Sequence, residues 1–340
     1  MSKSPFTAQP LPLSTTAERI ASDSVRRLVT VQPGMCGPTS LLVGQIGDWT
    51  WETVSALCDT DVANARDARG QPTYLSFYYC RLKAGPALHP AQITFGDRLE
   101  VISRAFDCGR ESVLTLHRLC RADSTCAAEV LLTPEEFYEH PRPGCLYAEN
   151  FNHWISRSRP GSNRALMRSS PLGFAHRHLP QLPDSYSPRL TCAQARARLR
   201  FPPPGTATDY VPDGDVFTVD YPVDVTRDVN GVGLLYFASY FAIAEGALLR
   251  RWRHLGRDDS AFLSRTTLDS RVCYLGNADL GATLRLRLRA WHDPDEPTGE
   301  LVDIVIEDSH DNRLLALCSF QTEQGNRSSP SSAYPARGRP

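Results

Sequence analysis

The sequence predicts an α+β protein in which antiparallel strands wrap one long buried helix, and it predicts that unit twice. The first observation is the stretch from Asp228 to Trp252, where a turn-forming Asn-Gly pair runs into a long apolar segment. Phe237, Tyr240, Phe241, Ala244, Leu248 and Trp252 recur at steps of three and four and form one apolar helix face, while Glu245, Arg250, Arg251 and Arg253 occupy the rest. Apolar-rich extended runs follow at 268–275, 283–291, 301–307 and 313–322, separated by the turn-like segments GNADLG, HDPDEPTG and HDN.

The second observation is that the same order of elements occurs earlier in the chain. A first helix can start at Pro38 and carries Leu41, Leu42, Ile46, Trp49, Val54 and Leu57, with an interruption expected near Gly47-Asp48. Extended runs follow at 72–83, 97–107 and 111–121, and the last two are joined by a hairpin turn at Asp107-Cys108-Gly109-Arg110. One helix wrapped by an antiparallel sheet is the hot dog arrangement, so the expectation is a double hot dog with two sheets, each around its own helix.

Domain limits follow from composition. Residues 1–24 and 324–340 are rich in Ser, Pro, Thr, Gln and Arg, and read as disordered tails. The two units are placed at 25–140 and 213–323. Ten of the 26 prolines lie between Pro141 and Pro204, so 141–212 is read as a connector that packs across both units through 151–155 and 172–174.

Bulk properties narrow the class. The 340 residues are 41% hydrophobic with no apolar run long enough to span a bilayer and no hydrophobic signal core, which predicts a cytoplasmic protein without membrane contact. Ten cysteines without a CxxC pair read mostly as reduced core residues, and a net charge of −1 argues against nucleic-acid binding. His176 and His178 have no cysteine or carboxylate cluster nearby in sequence, so no metal is expected. GVGLLY has Tyr236 where a dinucleotide fingerprint needs its third glycine, and Walker A, GxSxG and HExxH motifs do not occur.

Three segments, GMCGPTSLLVGQIGDWTW, GQPTYLSFYYCRL and DVNGVGLLYFASYF, resemble in order and spacing the LnmK-type bifunctional acyltransferase/decarboxylases of polyketide biosynthesis, from about Val31 to Glu323. That family is double hot dog in fold. The resemblance implies decarboxylation of a methylmalonyl thioester and passage of the propionyl group through an acyl-tyrosine to an acyl carrier protein. Carried over by position, the tyrosine is Tyr74 and the amide that holds the thioester enolate is Asn230. It implies acyl-CoA as substrate, no cofactor beyond the phosphopantetheine of the carrier partner, and is compatible with a homodimer. Gly231, Gly233, Tyr236 and Cys36 are assigned with it to the acyl pocket.

The residues themselves leave alternatives open. An amide beside a helix N-terminus offers donors to an enolate oxygen, yet Asn-Gly is also a favoured turn. Tyr74, Ser76 and Tyr78 share one strand face, and an aromatic strand is most often core; a phenol is moreover ionised to only about one part in a thousand at neutral pH, and no base is visible beside Tyr74. Asp228 stands where hot dog thioesterases use an aspartate to activate water, which makes a hydrolase the alternative. A non-catalytic or dehydratase-like carrier-binding protein is the third class. Glu245 is a second carboxylate for the hydrolase, although it reads better as a solvated helix residue. Arg285, Arg287 and Arg289 on one strand face and Arg250, Arg251 and Arg253 at the helix end suit either CoA phosphates and an acidic carrier or plain solubility.

Overall fold

The apolar stripe of the second helix is buried along its length: Tyr240, Phe241, Ala244, Leu248 and Trp252 are in the core, and Phe237 is half-buried against it. That helix is α4 (Phe237–His254), and its counterpart α1 (Thr39–Cys58) buries Leu42, Ile46, Trp49, Val54 and Leu57. The two helices pack on each other on one side of a twelve-stranded sheet. The computed structural model describes residues 15–85, 87–124, 131–202, 210–294 and 299–323. Of the tails expected at 1–24 and 324–340, residues 1–14 and 324–340 lie outside the described residues.

Each half repeats one topology. In the first, β2 (Ser24–Thr30) precedes α1, then β3 (Tyr74–Lys83), β4 (Arg98–Asp107), β5 (Ser112–Arg121) and β6 (Cys145–Arg157) follow, and they lie side by side as β2-β4-β5-β6-β3. In the second, β8 (Val211–Pro222) precedes α4, and β9 (Thr266–Tyr274), β10 (Thr283–His292), β11 (Gly299–Asp308) and β12 (Leu314–Glu323) give the matching order β8-β10-β11-β12-β9. This is the double hot dog. The two sheets are not separate: β3 pairs with β9 antiparallel from Tyr79↔Cys273 to Lys83↔Asp269 and fuses them edge to edge.

Three expectations change. The tail was drawn to residue 24, but β1 (Thr16–Ala21) already forms a hairpin with β2. The connector was drawn from 141, but β6 is the inner strand between β5 and β3, so the first unit continues to Arg157 and its short partner β7 (Leu166–Arg168). The proline-rich composition around it masked a strand that is buried from Cys145 to Ser156. Leu172 is 66% exposed and does not pack as expected, whereas Phe151 and Trp154 are buried. The part of the connector that crosses both units is instead α3 (Pro188–Arg198), whose Cys192 and Ala195 join Tyr79, Cys273 and Leu317 in one cluster on the outer sheet face.

Helix α1 also runs unbroken through Gly47-Asp48. Gly47 is there for close approach. A Cβ at that position would lie 2.3 Å from the ring of Phe237, whose stacking on Phe77 at 3.7 Å ties the start of α4 to β3.

The outer face of the seam carries buried charge. Arg81 and Arg271 bracket Asp269, at 2.6 and 2.9 Å, so the ion group sits across the β3–β9 junction. Nearby, Glu149 accepts from Tyr138 Oη at 2.6 Å, on the helix α2 (Pro134–Tyr138), and burial pushes its carboxyl up to about 7 despite the two arginines. A carboxyl raised in the folded state binds its proton more tightly there than in the unfolded chain. Its contribution therefore favours folding at low pH and is lost as pH rises from its ordinary range, near 4.5, through about 7. Glu149→Gln keeps the acceptor for Tyr138 and removes the titration. Thermal unfolding across pH 4 to 8 should show the variant gaining on the wild type as pH rises, by on the order of 3 kcal/mol between the two ends; parallel profiles would refute this assignment.

Candidate active site

The seam is short, and its shortness makes the site. A bulge shifts the β3–β6 register between Phe77 and Tyr79, and the first half of β3 pairs only with β6. A bulge bends and twists its strand, so this half of β3 diverges from β9 and its continuation at 275–277. The gap is a cavity of ≈ 480 Å³ that opens through the sheet. Tyr74, Ser76, Tyr78, His153 and Arg168 line it from β3, β6 and β7; Asp48 and Trp51 from α1; Asn230, Gly231, Tyr236 and Phe237 from the start of α4; Tyr274 and Asn277 from beyond the seam.

Asn230 and Tyr74 therefore face one cavity. Asn230 sits in a loop closed by the Val229↔Leu235 bridge, and its Oδ1 accepts from the backbone N–H groups of Val232, at 3.2 Å, and Leu234, at 3.0 Å. An oxygen committed to two N–H donors fixes the amide orientation. The NH2 end makes no hydrogen bond with a described residue and is free for a ligand. The turn and donor readings of Asn230 thus hold together, one for each end of the amide. The left-handed residue of the loop is Gly233, φ 75°, while Gly231 lines the cavity with open space beside its Cα. Helix α4 starts seven residues after Asn230, at Phe237, without a side-chain cap, so its positive dipole end meets the cavity wall at Phe237.

The loop is pinned from outside by residues with no motif. Arg157 donates to Val232 O at 2.6 Å and to Asn163 Oδ1 at 2.9 Å, and lies 5.9 Å from the centre of the Tyr74 ring. Asn163 donates to Gly233 O, and Asn277 exchanges two hydrogen bonds with the Leu235 backbone. One guanidinium thus ties the Tyr74 strand to the Asn230 loop. The Tyr74 hydroxyl itself bonds to no described residue.

Residues 26–203, just over half of the chain, match the family model of the LnmK N-terminal hot dog fold domain. The chain belongs to the LnmK hot dog family. The family's match ends well past β6, in agreement with the extended first unit. The fold is also that of a protein from Lactobacillus plantarum named as an oleoyl thioesterase, with TM-score 0.53 and 12% identity over 92% of this chain and 97% of that one. A 12:0-ACP thioesterase from Umbellularia californica gives TM-score 0.50 and 12% identity over 88% and 94%. No curated protein matches in sequence.

In this LnmK-family protein several sequence-based assignments move. Asp228 is buried outside the cavity wall, where Oδ2 accepts from Tyr221 Oη at 2.8 Å and the Asp224 N–H at 2.9 Å, and Oδ1 meets Arg227; these bonds anchor the loop. Cys36 lies in the turn before α1, away from the cavity, with Sγ near Gln32 O and Pro33 O. Gly233 supports the loop behind the wall. Tyr236 lines the cavity, and burial raises its phenol to about 12. Glu245 is half-buried, not solvated: burial raises its carboxyl, opposed by Thr39 and Arg265.

The expected arginines are mostly engaged elsewhere. Arg285 pairs with Asp220, Arg287 with Glu307, Arg251 with Glu300 and Arg253 with Asp259, and none lines the cavity. His176 is buried and bonds Asp107 at 2.8 Å. No group of three potential metal ligands occurs among the described residues, and none of their helices is long and apolar enough to cross a membrane.

The acidic, basic and imidazole side chains of the cavity, those of Asp48, Arg168 and His153, all escaped the sequence reading. Asp48 follows the close-approach glycine, and it bonds to no described residue; burial and Glu52 raise its carboxyl. Separating the two ends of Asn230 gives a direct check. Asn230→Asp keeps both accepted N–H bonds, whereas Asn230→Ala loses them, so denaturant unfolding should show near-native stability for the first and a loss of about 1–3 kcal/mol for the second. Equal losses would mean that the loop does not depend on Oδ1.

Proposed function

We propose that the protein decarboxylates a malonyl- or methylmalonyl-type acyl-CoA and loads the remaining acyl group onto an acyl carrier protein, within polyketide or related biosynthesis. The observation that carries this reading is the free NH2 of Asn230 in a cavity shared with Tyr74 and the start of α4. Loss of CO2 leaves an electron pair that moves onto the thioester oxygen. Asn230 Nδ2–H supplies a donor for that oxyanion beside the positive end of α4, and one preorganised donor is typically worth about 10² to 10³ in rate. Protonation of the α-carbon gives the saturated acyl thioester. The Tyr74 oxygen then attacks its carbonyl, the phenolic proton goes to the departing CoA thiolate, and the carrier's phosphopantetheine thiol later takes the acyl group and returns a proton to Tyr74.

Thioester hydrolysis is the second reading, favoured by one residue. Asp48 puts an unpartnered carboxylate into the cavity wall, where it could take a proton from water, and the L. plantarum and U. californica proteins of this fold are named thioesterases. Incubation with methylmalonyl-CoA followed by intact-mass measurement separates the two. The proposed function expects one propionyl-sized increment, located on the PTYLSF peptide, absent in Tyr74→Phe, retained in Asp48→Asn, and formed about 10²-fold or more slowly in Asn230→Asp. Steady release of free acid that falls by about 10² to 10⁴ in Asp48→Asn, with no increment on Tyr74, would instead establish the hydrolase.

A further inference from the structure

Arg168 is the cation of the cavity wall and has no acidic partner among the described residues. Its Nη2 donates to His153 Nε2 at 3.1 Å. Because a guanidinium only donates, Nε2 must be the accepting nitrogen, which places the imidazole proton on Nδ1 facing Ser112 Oγ at 2.7 Å. The ring is thereby held neutral: burial, with Arg168 and Arg189 adding to it, lowers His153 to about 3. Arg168 is thus oriented by a neutral group, and its charge is not cancelled. Asp48, the acidic residue of the same wall, forms no ion pair with it.

Register places this cation close to the chemistry. Tyr74 pairs with Ile155, and Ile155 with Arg168, so the three lie in one row across the sheet with their side chains on one face. Two strand spacings put the Cα atoms of Tyr74 and Arg168 about 10 Å apart, a gap that one extended arginine and a small acyl group fill. The carboxylate of a malonyl-type group is two bonds from the thioester carbonyl carbon, whereas the CoA diphosphate lies at the far end of the pantetheine arm. A charge this near the acyl acceptor suits the carboxylate.

We propose that Arg168, held by His153 and Ser112, receives the free carboxylate of the acyl substrate and selects carboxylated acyl-CoA over plain acyl-CoA. The inference rests on the acyl-CoA reading above and adds the residue that sets its specificity. The planar fork of arginine matches a carboxylate with two parallel N–H bonds; Arg168 is exposed on its outer side, so the preference arises from that pairing and not from burial of the guanidinium.

Two stable thioethers test it without turnover: CoA–S–CH2–CH(CH3)–COO⁻ and S-propyl-CoA, titrated calorimetrically into the wild type, Arg168→Gln and Arg168→Lys. The expected result is at least a tenfold preference of the wild type for the carboxylated ligand, lost in Arg168→Gln and partly kept in Arg168→Lys, with S-propyl-CoA affinity unchanged throughout. Equal affinities in the wild type, or a preference that survives Arg168→Gln, would overturn the assignment. Weakening of both ligands alike in Arg168→Gln would assign the guanidinium to the CoA phosphates and also overturn it. Failure of either ligand to bind the wild type would count against the acyl-CoA reading itself.

Discussion

The pairing of β3 with β9 over Tyr79–Lys83 is the constraint on which the rest depends. Had the two strands paired along their full length, the sheet would be closed and the cavity would not exist. Had they not paired, the two hot dog units would be held without a continuous sheet, by α1 against α4, by α3 and by side-chain links such as Arg157 to Val232 O. The bulge beside Tyr78 sets where pairing stops, and therefore where the Tyr74 half of β3 swings clear. The buried Arg81–Asp269–Arg271 group fixes the paired part. Removing one member of such a group leaves uncompensated buried charge, at a cost of roughly 3–5 kcal/mol, so its geometry keeps the seam in register.

The open part is held at a definite width from both sides. On the helix side, Gly47 admits the Phe237 ring, which stacks on Phe77 and sets how near α4 comes to β3. On the outer side, Arg157 reaches from β6 to Val232 O and across the Tyr74 ring. The site therefore belongs to neither unit alone. Tyr74, Arg168 and Asp48 come from the first half, and Asn230 and the helix N-terminus from the second. The two halves share a topology but not a site: the corresponding end of α1, near Cys36, lacks an asparagine loop of this kind.

Much of this was legible in the sequence where one physical rule dominates. The helix stripe at Phe237–Trp252 and the alternating strands were readable because burial imposes period 3.6 or 2 on composition. Tyr74 and Asn230 came from resemblance, since neither an aromatic strand nor an Asn-Gly pair is distinctive by itself. What could not be read depends on pairing between distant segments. His153 and Arg168 meet only because β7 folds back on β6, and both lie in a stretch whose prolines suggested a linker. Gly47-Asp48 looked like a helix break because the reason for the glycine, Phe237, is 190 residues away in the chain. Asp228 shows the opposite case: its position before the helix is suggestive in sequence, but the fold sets it off the cavity wall, where its Oδ2 accepts from Tyr221 and Asp224.

The most direct test of the central claim is a crystal structure of the protein with the carboxylated CoA thioether bound. The acyl end should lie in the gap between the first half of β3 and residues 275–277, with the thioether carbon that replaces the thioester carbonyl between the Tyr74 hydroxyl and Asn230 Nδ2. An acyl end seated elsewhere, at the Cys36 end of α1 or beside Glu245, would contradict it.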